Sequence, residues 1–400
     1  MYIVYIHSIL YHTIFLAKIL QEILKICYHT VMKTLKNPIL SDTTKELASF
    51  FEAPQDILFF DIETTGFSAR SACVYLIGCA YLTTNGWETR QFFAETPDDE
   101  ADVLQQFFSF AASFPVMVHF NGTTFDVPFL QTRAKKFGLS FVPASVQHDI
   151  YKKISPYKNL LHLPGCRQKQ LEEFIDIHRE DHFNGGELIE VYKEYVRHPA
   201  KDSLALLKQH NYEDVLYMPK LLPVLSYPKL WEQAFSLQSL QASEYRSMDG
   251  DSGNKELFFT LALQYPVPKP VSFSYDDCYL SMSGSTARLR VRLFEGELRF
   301  FYDGSPKDYY YLPEEDIAVH KSIASAVDKE HRVQANASNC YGKKYAIFLP
   351  QYDAMFSPVF REQPRGRKCY FELSADFAAD PAMQMDYVLH LLETMRSHRK

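Results

Sequence analysis

The sequence predicts an α/β fold: a mixed five-stranded sheet flanked by helices, followed by a separate α+β C-terminal domain. Three observations predict it. Short apolar runs at 57–62, 72–82 and 115–120 have the length and composition of buried strands. Asn85-Gly86 is a hairpin signal that joins the second run antiparallel to a third strand near 87–94. Helical patterns separate the later strands, and strand–helix–strand connections make parallel neighbours.

Taken in order, the first strand is Ile-Leu-Phe-Phe-Asp-Ile at 57–62, and Gly66 turns the chain after it. Pro97 and the acids at 98–100 open a helix that puts Val103, Leu104, Phe107, Phe108 and Ala111 on one face. The fourth strand is 115–120, a helix runs from Phe125 to Phe137, and a short fifth strand ends near Asp149. Helices continue to about Leu225. Residues 226–254 read as a connector with a helical stretch from Trp231 to Tyr245 and the polar run Asp-Gly-Asp-Ser-Gly-Asn. In 255–400, strand-like runs lie at 257–264, 287–294, 297–302 and 308–312. Pro313 with Glu314 and Glu315 reads as a helix start, and a helix from Asp380 closes the chain. The expected division is therefore 1–54 N-terminal extension, 55–225 sheet domain, 226–254 connector and 255–400 α+β domain.

Residues 1–31 are apolar, but His7, His12, Lys18, Gln21, Glu22 and Lys25 interrupt them. The stretch falls short of the ~20 apolar residues of a spanning helix, and its lysines follow the apolar run rather than precede it. It reads as an extension outside the native fold, with an amphipathic or membrane helix as the alternative. Seven cysteines without a Cys-x-x-Cys pair point to reduced thiols and a cytoplasmic protein, with no membrane partner expected. Net charge is −7. Residues 255–400 carry 19 basic and 19 acidic residues, so the acidic excess lies in the first 254. Divalent ions would offset such charge, and no large basic field marks a nucleic-acid surface.

The chemistry-bearing residues lie in that acidic part. Asp61 and Glu63 alternate along one strand and share a face. Two carboxylates so placed repel each other unless a cation lies between them, and Mg²⁺ or Mn²⁺ suits oxygen ligands. Asp126 sits at a helix start, where the dipole favours a carboxylate. His210 and Asp214 are four apart on a helix and face the same way.

Asp-Ile-Glu-Thr-Thr-Gly at 61–66, Asn-Gly-x-x-Phe-Asp-x-Pro-Phe-Leu at 121–130 and a helical aromatic-x-x-x-Asp ending at Asp214 together resemble the three exonuclease motifs of the DEDD, or DnaQ-like, superfamily. His-Asp-Ile-Tyr at 148–151, Gly-Cys-Arg-x-x-x-Leu-Glu at 165–172, Tyr192-x-x-Tyr195 and His-Asn-x-x-Asp-Val at 210–215 narrow the likeness to the YprB ribonuclease H-like family, over roughly 55–225. The resemblance implies a ribonuclease H-like sheet and a 3′→5′ exonuclease acting on DNA or RNA. It implies two divalent cations, Mg²⁺ or Mn²⁺, held by Asp61, Glu63, Asp126 and Asp214, with His210 orienting or deprotonating water. Members place a Tyr four residues, or a His five residues, before the last Asp; here a His stands four before it.

Plainer roles stand beside these. Thr64 and Asn121 either contact substrate or stabilise their loops. His210 either takes part in catalysis or packs against the site. Asp149 reads as structural, and Glu213 as a surface helix acid. Arg288, Arg290 and Arg292 share one strand face, which either tracks phosphates or is simply solvated. The competing functions are a non-catalytic nucleic-acid-binding or scaffold protein and a structure-specific endonuclease.

Overall fold

A computed structural model describes residues 33–36, 43–246, 252–363 and 368–397. The expectation for residues 1–31 lies outside the described residues. The chain divides into two compact units. One comprises residues up to 226 except 159–161; the other comprises 227–400 together with 159–161.

The first unit is the expected mixed sheet. β2 (Ile57–Thr64), β3 (Val74–Thr83) and β4 (Gly86–Phe93) form an antiparallel meander. β5 (Val116–His119) and β6 (Val146–Asp149) extend it in parallel beyond β2. A sixth strand, β1 (Lys33–Lys36), pairs with β4, giving the order β1-β4-β3-β2-β5-β6. The β3–β4 hairpin turns through Thr84 and Asn85, with Gly86 at φ +105°. That conformation suits glycine, which has no Cβ to clash. α1 (Thr43–Phe50) precedes β2.

α2 (Glu100–Ala111) buries the five apolar residues read from its 3.6-residue period: Val103, Leu104, Phe107, Phe108 and Ala111. Its entry is a 3₁₀ turn at Pro97–Asp99, where Asp99 Oδ2 accepts the Thr96 N–H at 2.8 Å. α3 (Asp126–Lys136) is tied to α2 by a buried ion pair. Arg133 Nε donates to Glu100 Oε1 at 2.7 Å, and Nη1 donates to the Ala69 carbonyl at 3.1 Å. Glu100 Oε1 also accepts the Val74 N–H at 2.9 Å, so both charges are satisfied. This ties the last turn of α3 to α2 and, through the Val74 N–H, to the sheet.

After α4 (Ile150–Ile154) come α5 (Gln168–Phe174), α6 (Gly185–Arg197) and α7 (Lys201–Tyr217). On α6, Tyr192 stacks on Tyr75 with ring centroids 4.1 Å apart and donates its hydroxyl to the Ala94 carbonyl. α7 approaches the sheet closely at Gly78. A Cβ built there would fall inside contact distance of Asn211 Oδ1 and lie 2.9 Å from its Cγ. Only glycine lets α7 sit so near the strands.

The second unit is α+β. β7 (Phe235–Arg246), β8 (Ser252–Tyr275) and β9 (Cys278–Arg292) form one antiparallel sheet. The stretch from Trp231 to Tyr245, expected as helical, is therefore largely strand. Its backbone pairs along β8 from Phe235↔Leu263 onward, and that ladder overrides local propensity. β10 (Phe294–Phe301), β14 (Tyr341–Gln351), β15 (Phe360–Arg361) and β16 (Cys369–Glu372) close a small barrel. β11 (Tyr309–Leu312), β12 (Ile317–His320) and β13 (Val333–Gln334) make a third sheet, with α8 (Lys321–Ala324) after β12. The helix expected from Pro313 is a turn instead. Asp316 takes φ +52°, which ends any helical path, and its carboxylate is held by Tyr311 and Lys343. The closing helix exists as α10 (Pro381–Ser397), after the short α9 (Ala375–Ala379).

On β9, Ala287, Leu289 and Val291 are buried, while the three arginines point away from that core, as the alternation predicts. Arg290 lies 3.6 Å from Glu256 and over the Tyr279 ring at 4.8 Å. Glu295 pairs with Lys255, and Glu297 with Lys343.

Candidate metal centre

Five of the residues singled out in the sequence meet where β2, the start of α3 and the last turns of α7 converge. Asp61 stands opposite Gly78 of β3 in the ladder, and its Oδ2 accepts from Asn211 Nδ2 at 3.2 Å. Asn211 is itself oriented by Gln91 Nε2, which donates to its Oδ1 at 3.1 Å and to the Lys208 carbonyl at 2.8 Å. Two residues on, Glu63 points to the same face, and the ladder shifts register just after it. β5 pairs with β2 only as far as Phe59↔Val118. Beyond that, the Ile62 N–H is free of the sheet and is taken by Asp126 Oδ1 at 3.3 Å. The helix start therefore sits beside the strand end, as the motif order requires.

His210 and Asp214 face the same way, one helical turn apart. Nε2 of His210 lies 3.4 Å from Asp214 Oδ2 and 3.6 Å from Glu63 Oε1. One ligand atom from each of Glu63, His210 and Asp214 lies within 4.8 Å of the others.

Several neighbours of these residues carry no clear sequence signal. Asp181 Oδ2 is 2.5 Å from His210 Nδ1 and 2.8 Å from Lys169 Nζ. Arg179 Nη1 donates to Asp214 Oδ1 at 2.5 Å, and its other nitrogens bond Glu172. The charge-dense run His-Arg-Glu-Asp-His at 178–182 was the only hint. Glu213 corrects its expected role as a surface acid. It is 2% exposed and accepts the Asp181 N–H at 3.1 Å, which fixes the loop that carries Asp181.

Burial and mutual repulsion dominate the electrostatics of the cluster. Burial is the main cause that holds the Asp61 carboxyl well above the usual carboxylate range, and repulsion from Asp214, Asp126 and Glu63 adds to it. Glu63 is raised in the same way, by burial first and then by Asp214, Asp126 and Asp181. Asp126 is pushed up to about 7 by burial, against the pull of backbone N–H bonds. Asp181 goes the other way: burial would raise it, but hydrogen bonds and charge from Lys169 and His210 lower it. Glu63 is 7% exposed and, among the described residues, accepts no hydrogen bond. A buried carboxylate without a donor is costly unless a proton or a cation compensates it. Oxygen donors from four acids, so arranged, fit divalent ions.

The other expected residues have local partners. Thr64 Oγ1 donates to the Gly66 carbonyl at 2.9 Å. Asn121 adopts φ +63°, and its Oδ1 accepts from Thr124 Oγ1 at 2.5 Å. Asp149 accepts the backbone N–H groups of Asn121, Thr123 and Lys152, which is the structural role read for it. A cleft of about 590 Å³ opens beside the carboxylates, lined by Glu63, Thr64, Phe67, Phe125, Arg167 and Ile189 among others. Phe67 is 87% exposed at its rim.

Residues 58–226 match the family described as the RNase_H superfamily. DNA polymerase 1 of Sulfurisphaera ohwakuensis is 32% identical over 69 residues, which are 17% of this chain and 8% of that protein. Among solved structures, the family B DNA polymerase of the archaeon Pyrobaculum calidifontis aligns with 66% of this chain and 39% of its own, at 16% identity and a TM-score of 0.35. Brucella melitensis NrnC aligns with 50% of this chain and 80% of its own, at 14% identity and a TM-score of 0.31. The chain thus spans well under half the length of both polymerases. Among the described residues no helix is long and apolar enough to cross a membrane. An RNase H-like domain is present over residues 58–226.

Proposed function

We propose that this RNase H-like domain, with its working limits at 55–225, is a metal-dependent phosphodiesterase of the DEDD type, akin to the YprB family. Its proposed activity is 3′→5′ exonucleolytic cleavage of DNA or RNA. The observation that carries this reading is the mutual repulsion of Asp61, Glu63, Asp126 and Asp214, gathered in one place with the buried Glu63 carboxylate lacking a hydrogen-bond donor among the described residues. In it these four carboxylates hold two divalent ions, Mg²⁺ or Mn²⁺. Such ions, when bound, supply positive charge to the scissile phosphate and lower the pKa of water.

The chain's own residues do the rest. Asn211 orients Asp61, and the Ile62 N–H orients Asp126, so neither carboxylate has to be ordered when substrate arrives. Arg179 holds one oxygen of Asp214 and leaves the other facing the site. Phe67 and Phe125 offer ring faces on which a base stacks, and Arg167 suits a phosphate. Thr64, at the same cleft, and Asn121 are the proposed substrate contacts. Water attacks phosphorus in line, the P–O3′ bond breaks, and the leaving oxygen takes a proton. All six described cysteines are unpaired, which suits the reducing cytoplasm proposed as the compartment.

The test is a panel of end-labelled and circular, single- and double-stranded DNA and RNA with Mg²⁺ or Mn²⁺. Stepwise shortening from the 3′ end, lost in Asp61→Ala and Asp214→Ala, is the expected result. Cleavage of circles would make it an endonuclease. Tight binding without any cleavage would make it a binding or scaffold protein.

A further inference from the structure

We infer that His210 is itself a metal ligand, held for that purpose by Asp181, and that this site therefore prefers Mn²⁺ or a later first-row ion to Mg²⁺. The inference rests on the proposed metal centre and changes one of its members. By resemblance His210 would act on water. The geometry points to coordination instead.

Nδ1 of His210 is 2.5 Å from Asp181 Oδ2, the distance of a strong hydrogen bond to a carboxylate. Asp181 is built to receive it. Lys169 Nζ donates to Oδ2 at 2.8 Å, the Phe183 N–H donates to Oδ1 at 3.0 Å, and Glu213 holds the Asp181 backbone. That bond places a proton on Nδ1 and leaves Nε2 facing the acids. Nε2 is 3.4 Å from Asp214 Oδ2 and 3.6 Å from Glu63 Oε1. Both distances exceed the roughly 2.7–2.9 Å of a charge-assisted hydrogen bond. Among the described residues Nε2 makes no hydrogen bond, although the side chain is only 8% exposed. Nε2, Glu63 Oε1 and Asp214 Oδ2 converge, each within 4.8 Å of the others. A cation is the complement to that arrangement.

Histidine ligands commonly donate their second ring nitrogen to a carboxylate, which fixes the ring and its tautomer. The Asp181–His210 pair has that form. Arg179 occupies Asp214 Oδ1, so one oxygen of Asp214 remains for the ion. The spacing follows as well: a His four residues before Asp214 lies directly over it on α7, where both can reach one ion. Mg²⁺ favours oxygen ligands and imidazole favours transition ions, so a nitrogen donor shifts selectivity towards the latter.

The test uses the full chain freed of metal by chelation, then loaded with MnCl₂ or MgCl₂. Pulsed electron paramagnetic resonance of the bound Mn²⁺ should show the ¹⁴N coupling of a directly bound imidazole. His210→Gln should abolish that coupling and weaken Mn²⁺ by about 10–100-fold, with Mg²⁺ weakened less. Asp181→Asn should keep the coupling but weaken Mn²⁺ by roughly 10-fold. His210→Asp, an all-oxygen site, should regain Mg²⁺ and lose the preference for Mn²⁺. Circular dichroism checks that each variant is folded. Mn²⁺ bound without ¹⁴N coupling, and unaffected by His210→Gln, would overturn the inference and leave the nuclease reading standing. No Mn²⁺ or Mg²⁺ binding by the wild type would overturn both.

Discussion

Asp316 in the C-terminal unit and Glu63 in the N-terminal unit both sit among polar groups, but of opposite kinds. Asp316 is surrounded by donors: Tyr311 at 2.6 Å, Lys343 at 2.6 Å, Arg299 at 3.2 Å and the Tyr341 hydroxyl. Those donors hold its carboxyl well below the usual range. Glu63 is surrounded by acceptors and held well above it, chiefly by burial. The first arrangement is a finished staple that joins β10, β11 and β14. The second leaves the Glu63 carboxylate without a hydrogen-bond donor among the described residues. Neighbours, more than the carboxylate itself, decide whether an acid is structure or site.

The largest expected effect breaks that contrast at the site. Asp61→Asn should lower metal-dependent hydrolysis by roughly 10²–10³-fold, read in a nuclease assay, whereas Asp316→Asn should leave it within a factor of two. Next is packing. Gly78→Ala forces α7 away from Asp61, and overpacking of that kind costs about 1–3 kcal/mol. A denaturant or thermal melt should show it, with activity falling as well because Asn211 is displaced. Smaller, and opposite in sign, are the stability effects of the two acids without metal. Asp61→Asn removes a buried, repelled charge and should raise the melting temperature by roughly 2–4 °C. Asp316→Asn should lower it by a similar amount, about 1 kcal/mol, since the site is partly exposed and screened.

The smallest effect is the pH dependence of those differences. The carboxyl of Asp126 is raised to about 7 in the fold. Its contribution is therefore fully present below the unfolded value near 4 and is lost as pH rises through 7. Asp316 is lowered, so its contribution is present above about 4 and lost as pH falls through its folded value. Metal-free melts of Asp126→Asn and wild type should diverge towards pH 8, while Asp316→Asn and wild type should converge towards pH 2. Saturating Mn²⁺ should restore the wild type at high pH.

The sheet was legible because its strands are short apolar runs and its hairpin carries Asn85-Gly86. The helix of 100–111 was legible because its period was clean. The four acids were legible because their order survives in the sequence. What was hidden depends on distant chain. Asp181 reaches His210 across 29 positions, and Asn211 reaches Asp61 across 150, so no local pattern announces either. Glu213 reads as a surface acid because its contact with Asp181 is made across 32 positions. The region around 231–245 read as helix because its alternation is weak. Pairing along β8 decides it, and a sequence reading does not see a strand's partner.

Calorimetric titration of the metal-free chain with Mn²⁺ at pH 7.5 is the most direct test of the carboxylate centre. The arrangement predicts saturable binding that releases protons from the raised carboxyls, unchanged in Asp316→Asn and lost in the double variant Asp61→Asn/Glu63→Gln. Absence of binding by the wild type, or undiminished binding by the double variant, would contradict it.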